Sequence, residues 1–114
     1  MILIDYGFAV HIDDKDYLYY KCGTPGYISP EIFTNEKDEK LSPKSDVFSA
    51  GSILHVMLTG KFLFEGQEAQ EMYKNNKDCK IDFDQPEYKD LDPNAMDLMR
   101  KMLVVKPEER LSAS

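Results

Sequence analysis

Hydrophobic positions fall along the 114 residues in distinct regimes. Residues 1–4 form a short apolar run that stops at Asp5 and Gly7, which predicts a buried strand entering a turn. From Phe8 to Lys44 no period holds. Gly23, Pro25, Gly26 and Pro30 cluster in the middle, and the charged run 36–40 follows. The segment reads as a long loop with one helical turn after Pro30, and loops of that length are usually functional or disordered.

Beyond the loop the pattern is helical. Ser45 and Asp46 offer capping side chains ahead of a helix over 47–59, which Gly60 closes. At 100° per residue Val47, Phe48, Ala50, Ile53, Leu54, Val56, Met57 and Leu58 surround the axis, and no charge intervenes between Asp46 and Lys61. Such a helix is expected to be buried on most sides, with other elements wrapped around it. Residues 67–76 carry Ala69, Met72 and Tyr73 on a polar background, the pattern of a surface helix. The clearest helix starts at the cap Asp92 with Pro93 in its first turn. Ala95, Met96, Leu98, Met99, Met102 and Leu103 lie on one arc of it, and Asn94, Asp97, Arg100 and Lys101 on the other. The expected fold is therefore mainly α, with a buried central helix, surrounding helices and one short initial strand. A lone strand cannot satisfy its own backbone, so either partners cover it or it belongs to an interrupted sheet.

Composition narrows the function classes. Hydrophobic residues make up 42% and charged residues 31%, a folded-domain balance, and the length permits one modest core. With 14 Lys+Arg against 21 Asp+Glu the net charge is −7, which speaks against a nucleic-acid partner held by a basic surface. Cys22 and Cys79 are too few for a disulfide framework and lack metal-ligand spacing, so free thiols in a cytoplasmic or nuclear setting are expected. The first residues lack a basic region and are not read as a signal peptide. The apolar stretch 53–58 contains His55 and is far shorter than the roughly 20 residues of a membrane span, so no membrane partner is expected.

Four blocks stand in order: Asp5-Tyr6-Gly7; Cys22 through Glu31, containing Gly23-Thr24-Pro25-Gly26-Tyr27 and Ser29-Pro30-Glu31; Asp46 through Gly51; and Lys106 through Leu111. Each alone is weak, since Asp5-Tyr6-Gly7 is an ordinary turn composition and Glu31 and Arg110 could be unrelated surface charges. Together the chain resembles the eukaryotic protein kinase family, in the C-terminal lobe of its catalytic domain, over essentially all 114 residues. Tyr6 replaces the phenylalanine of the family's D-F-G, Ser29 the alanine of A-P-E, and Phe48 the tryptophan of D-x-W-S-x-G. The Gly23–Tyr27 segment is similar to the Ser/Thr branch, and Cys22 with the following helix pattern to its calcium/calmodulin-dependent group.

The resemblance implies roles. Asp5 would hold Mg²⁺ on ATP, with Gly7 allowing the chain to turn and Tyr6 packed against the core. Thr24 would support catalysis by bridging the catalytic aspartate and lysine. Glu31 and Arg110 would form a buried ion pair, and Asp46 would anchor the catalytic loop. Phe8 goes with serine as phosphoacceptor, and Gly23 and Tyr27 with substrate specificity. Val56 stands where some basic-directed relatives have glutamate, so arginine-directed specificity through that position is not implied. Between Asp5 and Thr24 there is no Ser or Thr, and Tyr20 stands where relatives have an activating threonine. Activation by Ser/Thr phosphorylation there is therefore not expected; Asp13, Asp14 and Asp16 would supply standing charge, or Tyr17, Tyr19 and Tyr20 would be modified.

The family's Gly-rich loop, strand lysine and His-Arg-Asp catalytic loop are not among these residues. The reading is a partial kinase domain over 1–114, without the N-terminal lobe and catalytic loop, from a Ser/Thr kinase that uses ATP and Mg²⁺ on a protein serine. Its expected partners are a protein substrate and the missing N-terminal half or another covering surface. Alone the piece is expected to be inactive. The competing reading is a pseudokinase or interaction scaffold, against which the retained metal-type aspartate counts.

Overall fold

The computed structural model describes residues 2–14, 21–34 and 42–114. Among them the elements are helix α1 (Pro30–Thr34), α2 (Lys44–Thr59), α3 (Ala69–Asp78), a 3₁₀ turn (Pro86–Tyr88) and α4 (Pro93–Met102). The mainly helical architecture matches the hydrophobic pattern, including the single turn after Pro30. The strand expected over 1–4 is not present in the described residues: Ile2, Leu3 and Ile4 are exposed and irregular, because no second strand among the described residues offers them hydrogen bonds. The charged run 36–40, Asp16 and Tyr17, Tyr19 and Tyr20 lie outside the described residues.

Helix α4 forms as its cap chemistry dictates. Asp92 Oδ1 accepts from the N–H groups of Asn94 at 2.9 Å and Ala95 at 3.1 Å, and Met99 and the following Leu103 are buried. Leu98, expected on the packed arc, is exposed. The α4 face meets α2 across Gly51, where a methyl group would stand 2.9 Å from Met102 Cβ and 3.0 Å from Leu103 Cδ2. Only a residue without a side chain lets the helices approach so closely. Phe48, Phe64, Cys79, Tyr88, Met99 and Leu103 make the core, with Leu54, Leu58, Ile81, Phe83 and Met96 packed around it.

Two expectations for α2 need correction. The helix starts at Lys44, with Pro43 at its cap position and Ser42 Oγ accepting from Lys44 N–H at 3.2 Å; Ser45 and Asp46 are inside its first turn, and Ser45 is engaged elsewhere. Gly60 does end the helix, in the left-handed conformation, with its N–H on Val56 O at 2.8 Å. Burial is also one-sided. Phe48, Gly51, Ser52 and His55 are buried, whereas Asp46, Ala50, Ile53 and Met57, at helical spacing, form an exposed stripe. The all-round hydrophobicity of α2 thus exceeds what the other described elements cover.

His55 explains how a polar residue sits in that core. Lys61 O accepts from its Nδ1 at 3.1 Å, which leaves Nε2 to accept from Tyr88 OH at 2.8 Å. Burial pushes the imidazole below its ordinary value and keeps it neutral. Among the described residues neither Cys22 nor Cys79 forms a disulfide, and burial pushes the Cys79 thiol up to about 11. No helix among the described residues is long and apolar enough to cross a membrane.

Candidate functional site

Glu31 on α1 and Arg110 beyond α4 are 79 residues apart and meet in a bidentate pair, with NH1 on Oε1 at 2.7 Å and NH2 on Oε2 at 2.9 Å. A guanidinium has five N–H donors, and all five are used here. The other three acceptors are Val104 O at 2.8 Å, Lys44 O at 2.8 Å and Val105 O at 3.0 Å. The guanidinium carbon lies 5.0 Å from the centroid of the Phe48 ring, and the Arg110 side chain is 0% exposed. One side chain therefore joins α1, the start of α2 and the segment after α4. Ser45 Oγ donates to Glu31 Oε1 at 2.7 Å, the engagement that takes it away from capping. Burial alone would raise the Glu31 carboxyl. The bonds from Arg110, Glu31's own backbone N–H and Ser45, with the Arg110 charge, outweigh burial and hold it below its ordinary 4.5.

The pair fixes the base of the segment 23–29. Ser49 Oγ donates to Tyr27 O at 2.8 Å, and the Tyr27 ring meets Phe62 edge-on with centroids 6.5 Å apart. Gly23 has φ 145°, and a methyl group on it would stand 2.9 Å from Ile28 Cγ1. Thr24 is exposed and its carbonyl accepts from Tyr27 N–H at 3.1 Å, closing a turn. The sequence held no signal for Asn76, which is 0% exposed on α3 and bonds this segment through both atoms of its amide. Ser49 was visible only as part of the block beginning at Asp46.

Ser29 is buried at 1% exposure, and among the described residues its Oγ has no hydrogen-bond partner. A buried hydroxyl without a partner opposes folding. Ser29→Ala, which also supplies the alanine of A-P-E, is expected to stabilise the fold by about 1 kcal/mol. Urea unfolding measures this, and a lower midpoint would show that the hydroxyl has a structural use.

Asp5, Gly7 and Phe8 stand apart from this cluster, on an exposed stretch whose turns are local. Ala9 N–H bonds Tyr6 O at 3.0 Å, and Tyr6 OH donates to Leu3 O at 3.2 Å. Tyr6 is 67% exposed, so it does not pack on the core as expected, since none of the described elements covers it. The turn also distributes its conformations differently. Asp5, not Gly7, is left-handed, with φ 62°. Asp tolerates that region better than most residues, because its short polar side chain can bond locally; here Oδ1 accepts from Gly7 N–H at 3.5 Å. Asp46 is exposed on the first turn of α2.

A divalent metal needs carboxylate oxygens that other groups have not taken, and Mg²⁺ is content with one or two plus phosphate. The exposed Asp5 carboxylate, with one long local bond, fits that requirement as a single ligand. Among the described residues no three acidic, His or Cys side chains gather into a self-contained metal site.

The family model for the protein kinase domain matches residues 1–114. Calcium/calmodulin-dependent protein kinase type II of Caenorhabditis briggsae is 32% identical over 111 residues, 97% of this chain and 20% of that protein. The delta subunit of the same enzyme type from Oryctolagus cuniculus is 35% identical over 113 residues, 98% of this chain and 21% of that protein. The chain thus spans about a fifth of the length of these relatives.

Proposed function

The chain belongs to the protein kinase family, in its Ser/Thr branch and similar to the calcium/calmodulin-dependent group, and from that premise we propose that it forms part of an enzyme moving the γ-phosphate of ATP to a protein serine. Within that enzyme Asp5 holds Mg²⁺, which neutralises charge on the nucleotide phosphates. Gly23–Tyr27 receives the substrate chain, and Phe8 favours serine over threonine. Thr24 faces the catalytic groups, Asp46 anchors the loop that carries them, and the Glu31–Arg110 pair holds the receiving segment against α2.

One observation carries the reading. Asp5 adopts a backbone conformation that L-residues hold at a cost, and its carboxylate stays exposed, engaged by one long local bond from Gly7 N–H. A scaffold has no use for that arrangement. The family's catalytic base, strand lysine and Gly-rich loop are not among these 114 residues, so the piece alone is inactive on this reading. The exposed stripe Ala50, Ile53 and Met57 supports a covering surface supplied by the rest of the enzyme. The count of two cysteines, too few for a disulfide framework, supports a cytoplasmic or nuclear location.

The test is phosphate transfer from labelled ATP by a chain that carries these residues together with the family's N-terminal half. Two peptides differing only in Ser or Thr serve as acceptors. The serine peptide is expected to be labelled faster, with no labelling once Mg²⁺ is chelated and none by residues 1–114 alone. No transfer under any of these conditions would leave the scaffold reading standing.

A further inference from the structure

The substrate-receiving segment is held through the backbone of three consecutive residues, and two of those ties come from one side chain. Asn76 Oδ1 accepts from Gly26 N–H at 3.0 Å, and Asn76 Nδ2 donates to Ile28 O at 2.7 Å. Between them Tyr27 O takes the Ser49 hydroxyl. Only one orientation of the amide satisfies both neighbours, because Gly26 N–H requires an oxygen and Ile28 C=O requires an N–H. Met72, one turn before Asn76 on α3, lies against Gly26, where a methyl group would meet Met72 Sδ at 3.2 Å. Gly26 itself has φ 93°, which a side chain would strain. Tyr73, the next residue on α3, meets Phe33 of α1 edge-on at 4.9 Å. Thus Met72, Tyr73 and Asn76 make one face of α3 that grips the chain from Gly26 to α1.

Asparagine is a poor choice for the interior of a helix, since its side chain competes for backbone hydrogen bonds. In α3 it is 0% exposed, and both polar atoms point away from the helix toward a segment 50 and 48 residues distant. An apolar residue there would serve packing equally well and would leave two buried peptide groups unpaired. The placement is therefore explained by the loop and not by the helix.

We propose that Asn76 is a positioning residue for substrate: it brackets Tyr27 by fixing the peptide groups on either side, and so sets the shape that the residues beside the phosphoacceptor must fit. This rests on the kinase reading above. It makes α3, a helix that contributes nothing to nucleotide binding in that reading, a determinant of peptide recognition. Because the amide already occupies Gly26 N–H and Ile28 C=O, a bound peptide contacts the side of the segment opposite α3.

The test uses the enzyme chain that carries these residues, with Asn76→Leu and, should that variant not fold, Asn76→Ser. Steady-state kinetics with a serine peptide and with ATP are paired with hydrogen exchange at the Gly26 amide. Loss of two buried hydrogen bonds is expected to raise the peptide KM about tenfold and to speed Gly26 exchange by at least about tenfold, with kcat and the ATP KM within about twofold of the unsubstituted enzyme. A merely structural role would lower the melting temperature and active fraction without splitting KM from kcat. An unchanged peptide KM in a folded variant overturns the inference while the kinase reading stands. Unchanged Gly26 exchange overturns the clamp itself. If the unsubstituted chain transfers no phosphate, the kinase reading falls and this inference falls with it.

Discussion

Replacing Arg110 by leucine, or Glu31 by alanine, is expected to destabilise the fold by about 3–5 kcal/mol, enough to unfold a marginal domain at 25 °C. Either change leaves the partner charge buried, since the Arg110 side chain is 0% and the Glu31 side chain 13% exposed. Arg110→Leu also strips Lys44 O, Val104 O and Val105 O of their donors. Arg110→Lys is expected to rescue little, because a lysine brings three donors on one nitrogen and cannot serve a fork plus three carbonyls. Swapping the charges, with Glu31→Arg and Arg110→Glu together, fails for the same reason: carbonyl oxygens would then face a carboxylate. Equilibrium urea unfolding measures all four variants, and an Arg110→Lys midpoint equal to that of the unsubstituted chain would refute the account.

The pair also sets a pH dependence. The folded carboxyl of Glu31 titrates below its ordinary 4.5, so the unfolded chain binds the proton more readily. The stabilisation is therefore complete above 4.5 and is lost as pH falls through the lower, folded value. In Glu31→Gln that acid-side slope is expected to flatten. An unaltered slope would mean that other carboxylates govern acid unfolding.

Asp5→Asn in the proposed complete enzyme is expected to reduce kcat on the order of 10³-fold or more, about 4 kcal/mol in the barrier, with stability changed by less than about 0.5 kcal/mol. Asparagine is the right substitute. It tolerates the left-handed φ 62° of Asp5 nearly as well, so the variant removes the charge and keeps the backbone. Asp5→Ala would mix the loss of a metal ligand with backbone strain. Raising the Mg²⁺ concentration is expected to recover part of the Asp5→Asn deficit if the lost function is metal binding. An Asp5→Asn enzyme with full activity would remove Asp5 from the metal site.

Some of this was legible along the chain. Asp92-Pro93 opens α4 as its cap chemistry requires, Gly60 closes α2, and Pro30 starts a short helix, because these are local events decided by a few neighbouring side chains. The kinase family was legible too, through blocks whose order and spacing are linear properties of the sequence. Burial was not, since it depends on what else is present. The apolar circumference of α2 implied covering on most sides, yet the described elements reach only the face of Phe48, Gly51, Ser52 and His55.

Long-range hydrogen bonds were legible least of all. Ser45 reads as a cap by composition, and only the arrival of Glu31 from α1 diverts it; Gly7 reads as the flexible point of its turn, and the structure places the left-handed residue at Asp5. Asn76 reads as an ordinary polar position on a surface helix. Sequence by itself determined the family, the helices and the residue types at each motif, since those follow from local chemistry and spacing. The Glu31–Arg110 pair came with the family resemblance, but tertiary structure alone decided the other bonds: Arg110 on the carbonyls of Lys44, Val104 and Val105, and Asn76 on backbone groups 50 and 48 residues away that chain position does not announce.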